Sequence, residues 1–168
     1  MYDTVIDELA TAPSQAWPVL FLRLGGAVLL CGLIGFERES QDRPAGLRTH
    51  MLVGLAATVY CLLMLELLGR AAEYPDPVRV DPVRIIEAVT SGVAFLAAGM
   101  IIFARGKVRG LTTGASLWLT ASVGLACGLG LWPIAAITTA LSLMIMRIVR
   151  IAETKAGFKK QHQPHDRP

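Results

Sequence analysis

Five long apolar stretches separated by short polar segments set the pattern of the chain: Trp17 to Phe36, Met51 to Leu68, Ile85 to Ala104, Leu111 to Leu131 and Pro133 to Val149. A bilayer core about 30 Å thick needs about 20 mostly apolar residues of helix, within a range of about 17–25. Each stretch meets that length. Apolar residues run all round each predicted helix, without a polar stripe, as lipid-embedded helices require. The pattern therefore predicts an all-α fold, a polytopic membrane helix bundle of five transmembrane helices over about residues 17–36, 51–68, 82–104, 111–131 and 133–149. The third helix is set to begin at Pro82 because Asp81-Pro82 offers an N-cap followed by proline in the first turn. Pro75, Pro77 and Pro82 stiffen the linker before it, which holds a short duplication, Asp76-Pro77-Val78-Arg79 and Asp81-Pro82-Val83-Arg84. Residues 105–110 read as a tight polar turn. Trp132-Pro133 leaves almost no loop, so the last two spans must be antiparallel neighbours.

Composition strengthens this reading. The 168 residues are 54% hydrophobic and 17% charged, with a mean hydropathy of +0.53. A soluble domain carries about 25% charged residues, so a soluble globule and a disordered chain are both excluded. Three isolated cysteines exclude a disulfide scaffold and a four-cysteine zinc site. Cys31, Cys61 and Cys127 lie within spans and read as packing residues.

Charge gives an orientation. With the N-terminus outside, twelve Lys and Arg fall in inner segments (37–50, 105–110 and from Arg147 onward) against three in outer ones. Basic residues in short loops mark the cytoplasmic side, so the expectation is N-terminus out and C-terminus in. Trp17 and Trp132 then fall at the outer interface. Residues 1–16 carry no Lys or Arg and read as an extracytoplasmic lead-in rather than a signal peptide. Residues 17–149 form the five-helix domain, and 150–168 a basic cytoplasmic tail. That tail is either a solvated end or an adhesion point for anionic inner-leaflet lipid. His162 and His165 lack further ligands nearby, and no metal site or cofactor is expected.

Three groups of residues are candidates for a specific role. Arg23, Glu66 and Glu87 are charges within the outer halves of spans. They either reach the headgroups or form an inward pair, Arg23 with Glu66 or Glu87. Gly110, Gly114, Ala121, Gly124 and Gly128 place small residues along one face of the fourth span, the usual basis of close helix packing in lipid. Packing within the monomer is favoured, and a homo-oligomer through the Gly124-x-x-x-Gly128 pattern is the alternative. The inner face gathers Glu37, Arg38, Glu39, Arg43, Arg48, Thr49, His50, Arg105, Lys107 and Arg109. Glu–Arg pairs and Arg-to-carbonyl bonds there could lock two loops together. Alternatively, Arg48 and Arg109 could bind an anion such as a lipid phosphate, with Thr112 or Thr113 capping the fourth helix. Arg147, near the inner end of the fifth span, is expected to snorkel. His50 has no catalytic partner in the sequence, and no nucleophile–base pair, phosphate loop or metalloprotease motif occurs. An enzyme is not expected, nor a nucleic-acid partner.

Three ordered blocks carry a family resemblance. They are Gly32-Leu33-Ile34-Gly35-Phe36-Glu37-Arg38-Glu39 with Arg43-Pro44-Ala45-Gly46-Leu47-Arg48-Thr49-His50, then Ser91 to Gly99, then Val108 to Trp118. Together they resemble the MgtC/SapB family of bacterial inner-membrane proteins. The resemblance implies a multi-pass protein of the cell inner membrane, in a short form lacking the family's C-terminal cytosolic domain. It also implies links to magnesium homeostasis, virulence, stress response and modulation of the proton-translocating ATP synthase. The leading expectation is action by interaction with a membrane-protein partner. The alternative is a small transporter or channel subunit for Mg²⁺, protons or a small solute. Several ionisable groups at mid-bilayer would favour transport, and this chain has only Arg23 and two shallow acids.

Overall fold

Helices form over all five apolar runs in the structure, a computed structural model that describes Tyr2, Ile6 and residues 12–71, 81–104 and 107–155. They are α1 (Trp17–Glu39), α2 (Leu47–Ala71), α3 (Val83–Met100), α4 (Leu111–Leu129) and α5 (Trp132–Lys155). Pro18 sits in the first turn of α1, where its missing N–H has no partner to lose. Asp81 Oδ1 accepts from the Val83 N–H at 2.9 Å and starts α3. Helices α1 and α2 run past the apolar stretches that predict them, to Glu39 and from Leu47. The connection between them shrinks to seven residues, turned by Asp42 in the left-handed region at φ 56°. Asp is among the few residues other than Gly that visit this region.

Helix α3 ends at Met100, four residues short of the predicted Ala104. Ile101 is already extended, with φ −90° and ψ 114°. Strand β1 (Ile102–Ala104) then pairs antiparallel with β2 (Lys107–Arg109), Phe103 opposite Val108. Of the segment expected as a bare polar turn, residues 107–109 are thus a strand of a short hairpin. The β-branched and aromatic run Ile101-Ile102-Phe103 suits extended backbone. Gly110, at φ 91°, redirects the chain into α4, a conformation costly for any residue with a Cβ. Helix α5 continues through Arg150 to Lys155, so the first residues of the expected tail are helical. The first copy of the duplication, 76–79, Arg105, the tail beyond Lys155 and most of the lead-in lie outside the described residues.

Helix α4 is the centre of the bundle and packs against each of the other four. Eleven of its 19 residues are buried, against two of 18 in α3. Its composition follows from that position. Covered by protein rather than lipid, it carries buried Thr113, Ser116 and Thr120 among its glycines, a polar stripe that the all-round apolar expectation missed. Helices α1, α2, α3 and α5 are each long and apolar enough to cross a membrane. Small side chains fill the interior: Ala27, Cys31, Val123 and Cys127 on the α1 side of α4, and Ala57, Val89, Val93 and Ala121 on the α2–α3 side. Large apolar ones point outward, with Phe21, Leu29, Phe36, Leu52 and Phe95 all exposed. So much exposed apolar area has no place in water and suits hydrocarbon. The protein is an all-α, multi-pass membrane bundle.

Candidate functional site

The buried face of α4 carries a polar seam from one end of the bundle to the other. At its start, Arg38 Nη2 donates to Thr113 Oγ1 at 2.9 Å. One turn on, Ser116 Oγ lies 3.1 Å from His50 Nε2 and 2.8 Å from the Thr113 carbonyl oxygen. His50 is fully buried, and its Nδ1 lies 2.8 Å from the Gly46 carbonyl, to which it donates. A neutral His50 then offers Nε2 as acceptor, so the Ser116 hydroxyl is shared between His50 and Thr113. Further along, Thr120 donates to the Ser116 carbonyl, and Cys31 Sγ approaches the Thr120 carbonyl at 3.6 Å. The Thr58 hydroxyl donates between the carbonyls of Gly54 (2.9 Å) and Gly124 (2.8 Å). At the far end, Arg23 Nη1 donates to the Gly128 carbonyl at 2.8 Å.

Small residues make this approach of backbones available. A Cβ at Gly35 would fall 2.8 Å from Leu47 Cα, and one at Gly128 2.6 Å from Cys61 Cβ. At Gly124 it would collide with the Gly54 carbonyl oxygen. Gly114 lies against Ala97 of α3, and Ala121 is buried between α2, α3 and α4. Gly110 is the left-handed N-cap of α4.

The inward Arg23–acid pair, one of the two alternatives read from the sequence, is replaced by a backbone bond. Gly128 belongs to the last turn of α4, whose carbonyls have no helical partner, and Arg23 reaches one of them from α1. Glu66 accepts instead from the Ser14 backbone N–H (2.8 Å) and hydroxyl (2.5 Å) and from Arg70 Nε (3.1 Å). Glu87 is exposed on α3. Neither acid forms an ion pair with Arg23. Any residue can offer a carbonyl, so the sequence carried no signal for this partner.

The hairpin end of the bundle brings together most of the charged motif residues. Glu39 Oε2 accepts from the Leu47 N–H at 2.6 Å and so caps α2, which places a carboxylate at the positive end of a helix dipole. Glu37 is buried. It accepts from Gln41 Nε2 at 3.0 Å and faces Arg147 Nε at 3.5 Å. Arg147, expected to snorkel, thus meets a carboxylate of α1 with its own side chain largely exposed. The expected loop-locking Glu–Arg pairs between 37–50 and the hairpin do not form among the described residues. Arg48 is exposed and Thr49 half-buried on the first turn of α2. Lys107 lies on β2. Arg109, Thr112 and Thr113 share the lining of a pocket of about 620 Å³ with Arg38, Asp42 and Arg43. Arg48 is not part of it. Neither threonine caps α4, which has no side-chain cap among the described residues. The participation of Arg38 and Arg43 could not be read from spacing, because it depends on how the α1–α2 loop folds over the start of α4.

The sequence profile of the MgtC family matches residues 24–155. The chain is 38% identical over 145 residues to Protein MgtC of Brucella abortus (strain 2308), covering 84% of this chain and 57% of that protein. It is 33% identical over 141 residues to the Putative magnesium transporter YhiD of Escherichia coli (strain K12), covering 84% of this chain and 65% of that one. It is 42% identical over 107 residues to Protein MgtC of Salmonella typhimurium, covering 64% and 42%. The chain therefore spans about 57–65% of the length of the first two relatives. No solved structure matches it.

Proposed function

Since the chain belongs to the MgtC family, we propose that it is an inner-membrane protein acting by contact with other membrane proteins under magnesium limitation or stress. A membrane ATPase is the first candidate partner, and no catalysis is involved. The carrying observation is where the buried polar groups go. Thr58, Thr113, Ser116, Thr120 and His50 bond to neighbouring helices and to backbone. Glu37, the one buried acid among the described residues, is engaged by Gln41 and Arg147. Such groups hold helices in register. A conducting path for Mg²⁺ would instead present oxygen ligands free to replace hydration water.

A second reading, a small transporter or channel subunit, is favoured by the name of the Escherichia coli relative, a putative magnesium transporter. Two measurements separate the readings. Affinity capture from detergent-solubilised membranes of magnesium-starved cells should recover a membrane complex that survives stringent washing and in-membrane crosslinking. Proteoliposomes holding the purified chain should show no saturable Mg²⁺ or proton flux above protein-free vesicles. Saturable flux without a recovered partner would reverse the order.

A further inference from the structure

At the hairpin end, the α1–α2 loop, β2 and the start of α4 enclose the pocket of about 620 Å³, whose polar lining is Arg38, Asp42, Arg43, Arg109, Thr112 and Thr113. Three guanidinium groups against one carboxylate make it electropositive. Arg38, one of the lining residues, is 2% exposed. The one described side-chain bond of Arg38 is to a neutral acceptor, Thr113 Oγ1, and its Nε–H is buried with no acceptor. No carboxylate among the described residues lies within ion-pair distance of it. The acids flanking it in sequence are engaged elsewhere, Glu37 by Gln41 and Arg147, Glu39 by the Leu47 N–H. A guanidinium buried without a counter-ion, with a donor left over, is an expensive arrangement unless an anion completes it.

Helix α4 begins beside it. Its first described intrahelical bond runs from the Gly114 N–H to the Gly110 carbonyl. The N–H groups of Leu111, Thr112 and Thr113 therefore have no helical acceptor, and no side chain among the described residues caps them. The positive end of the helix dipole and these free donors favour a negative group in front of them.

We propose that this pocket binds a phosphate-type oxyanion. Arg38, Arg43 and Arg109 contact it, and the first turn of α4 lies behind it. The chemistry is the same whether the phosphate belongs to an anionic lipid headgroup or is free in solution. Arg43 and Arg109 are exposed and make no other described side-chain bond, so removing them leaves the fold in place.

The test uses the full chain in an uncharged detergent and follows its thermal unfolding. One arm adds inorganic phosphate against chloride at equal ionic strength. The other adds phosphatidylglycerol against phosphatidylcholine in mixed micelles. A rise in the unfolding midpoint in the first arm identifies free anion, and a rise only in the second identifies a headgroup. Either supports the site. The Arg43→Gln/Arg109→Gln double variant should keep the ligand-free midpoint. It should need about a hundredfold more ligand for the same rise, about tenfold for each charge-assisted hydrogen bond lost. Arg48→Gln removes an exposed charge from the same end but outside the pocket, and it should respond as the unaltered protein does. No rise in either arm, an unchanged response in the double variant, or an equal loss in Arg48→Gln would each overturn the proposal.

Discussion

Gly124 and Gly92 are both helical glycines, and the structure gives them opposite sensitivities. A Cβ at Gly124 would strike the Gly54 carbonyl oxygen, whereas one at Gly92 meets nothing within 4 Å. Gly124→Ala should lower stability by about 1–3 kcal/mol through overpacking of α2 against α4. Gly92→Ala should be neutral or add a few tenths from helix propensity. Unfolding midpoints in detergent compare them directly, and equal effects would mean that α2 and α4 do not meet at Gly54 and Gly124. Arg23 gives a second prediction. Bonded to the Gly128 carbonyl and not to an acid, it should show no coupling with Glu66 in a double-mutant cycle, within about 0.5 kcal/mol. Coupling above 1 kcal/mol would restore the ion pair expected from sequence. Arg23 stood out in the sequence because charge inside a span is rare. Its partner did not, because a carbonyl belongs to every position of the chain.

Among the elements, α4 was legible as an apolar helix, but its central place was not. Its small residues stood out in the sequence as one face. That Thr113, Ser116 and Thr120 turn towards α1 and α2 depends on which helices surround them. The hairpin was hidden for a different reason. Three-residue strands are too short for a period-2 pattern to show, and Ile101 to Ala104 extended the apolar run of α3 without a break. Two changes test how the elements are joined. Thr58→Val removes a hydroxyl placed between the Gly54 and Gly124 carbonyls, and should cost about 1–2 kcal/mol of stability at nearly constant volume. Glu39→Ala uncaps the start of α2 and should cost about 1 kcal/mol. Thermal unfolding measures both. A loss at Glu39 with none at Thr58 would place the strength of the α2 junction in the loop rather than in the polar seam.

For the whole molecule, the fold gathers at one end the segments that the sequence singles out as basic. The end of α1, the start of α2, the hairpin and the start of α4 meet there, and Arg147 of α5 faces Glu37 of α1 at the same end. Basic segments cluster on the cytoplasmic side of a membrane, and the expectation from charge is therefore a hairpin end inside and a Trp17 end outside. Five crossings, as expected from the sequence, would put the two ends of the bundle's chain path on opposite sides. Cys31, Cys61 and Cys127 are buried and unpaired, so they contribute little background to surface labelling. The most direct test is therefore accessibility of introduced cysteines in intact cells to a thiol reagent that does not cross the membrane. Asp76→Cys should be modified from outside, and Lys107→Cys only after permeabilisation. The reverse result, or modification of both from the same side, would contradict a five-span bundle with its basic end in the cytoplasm.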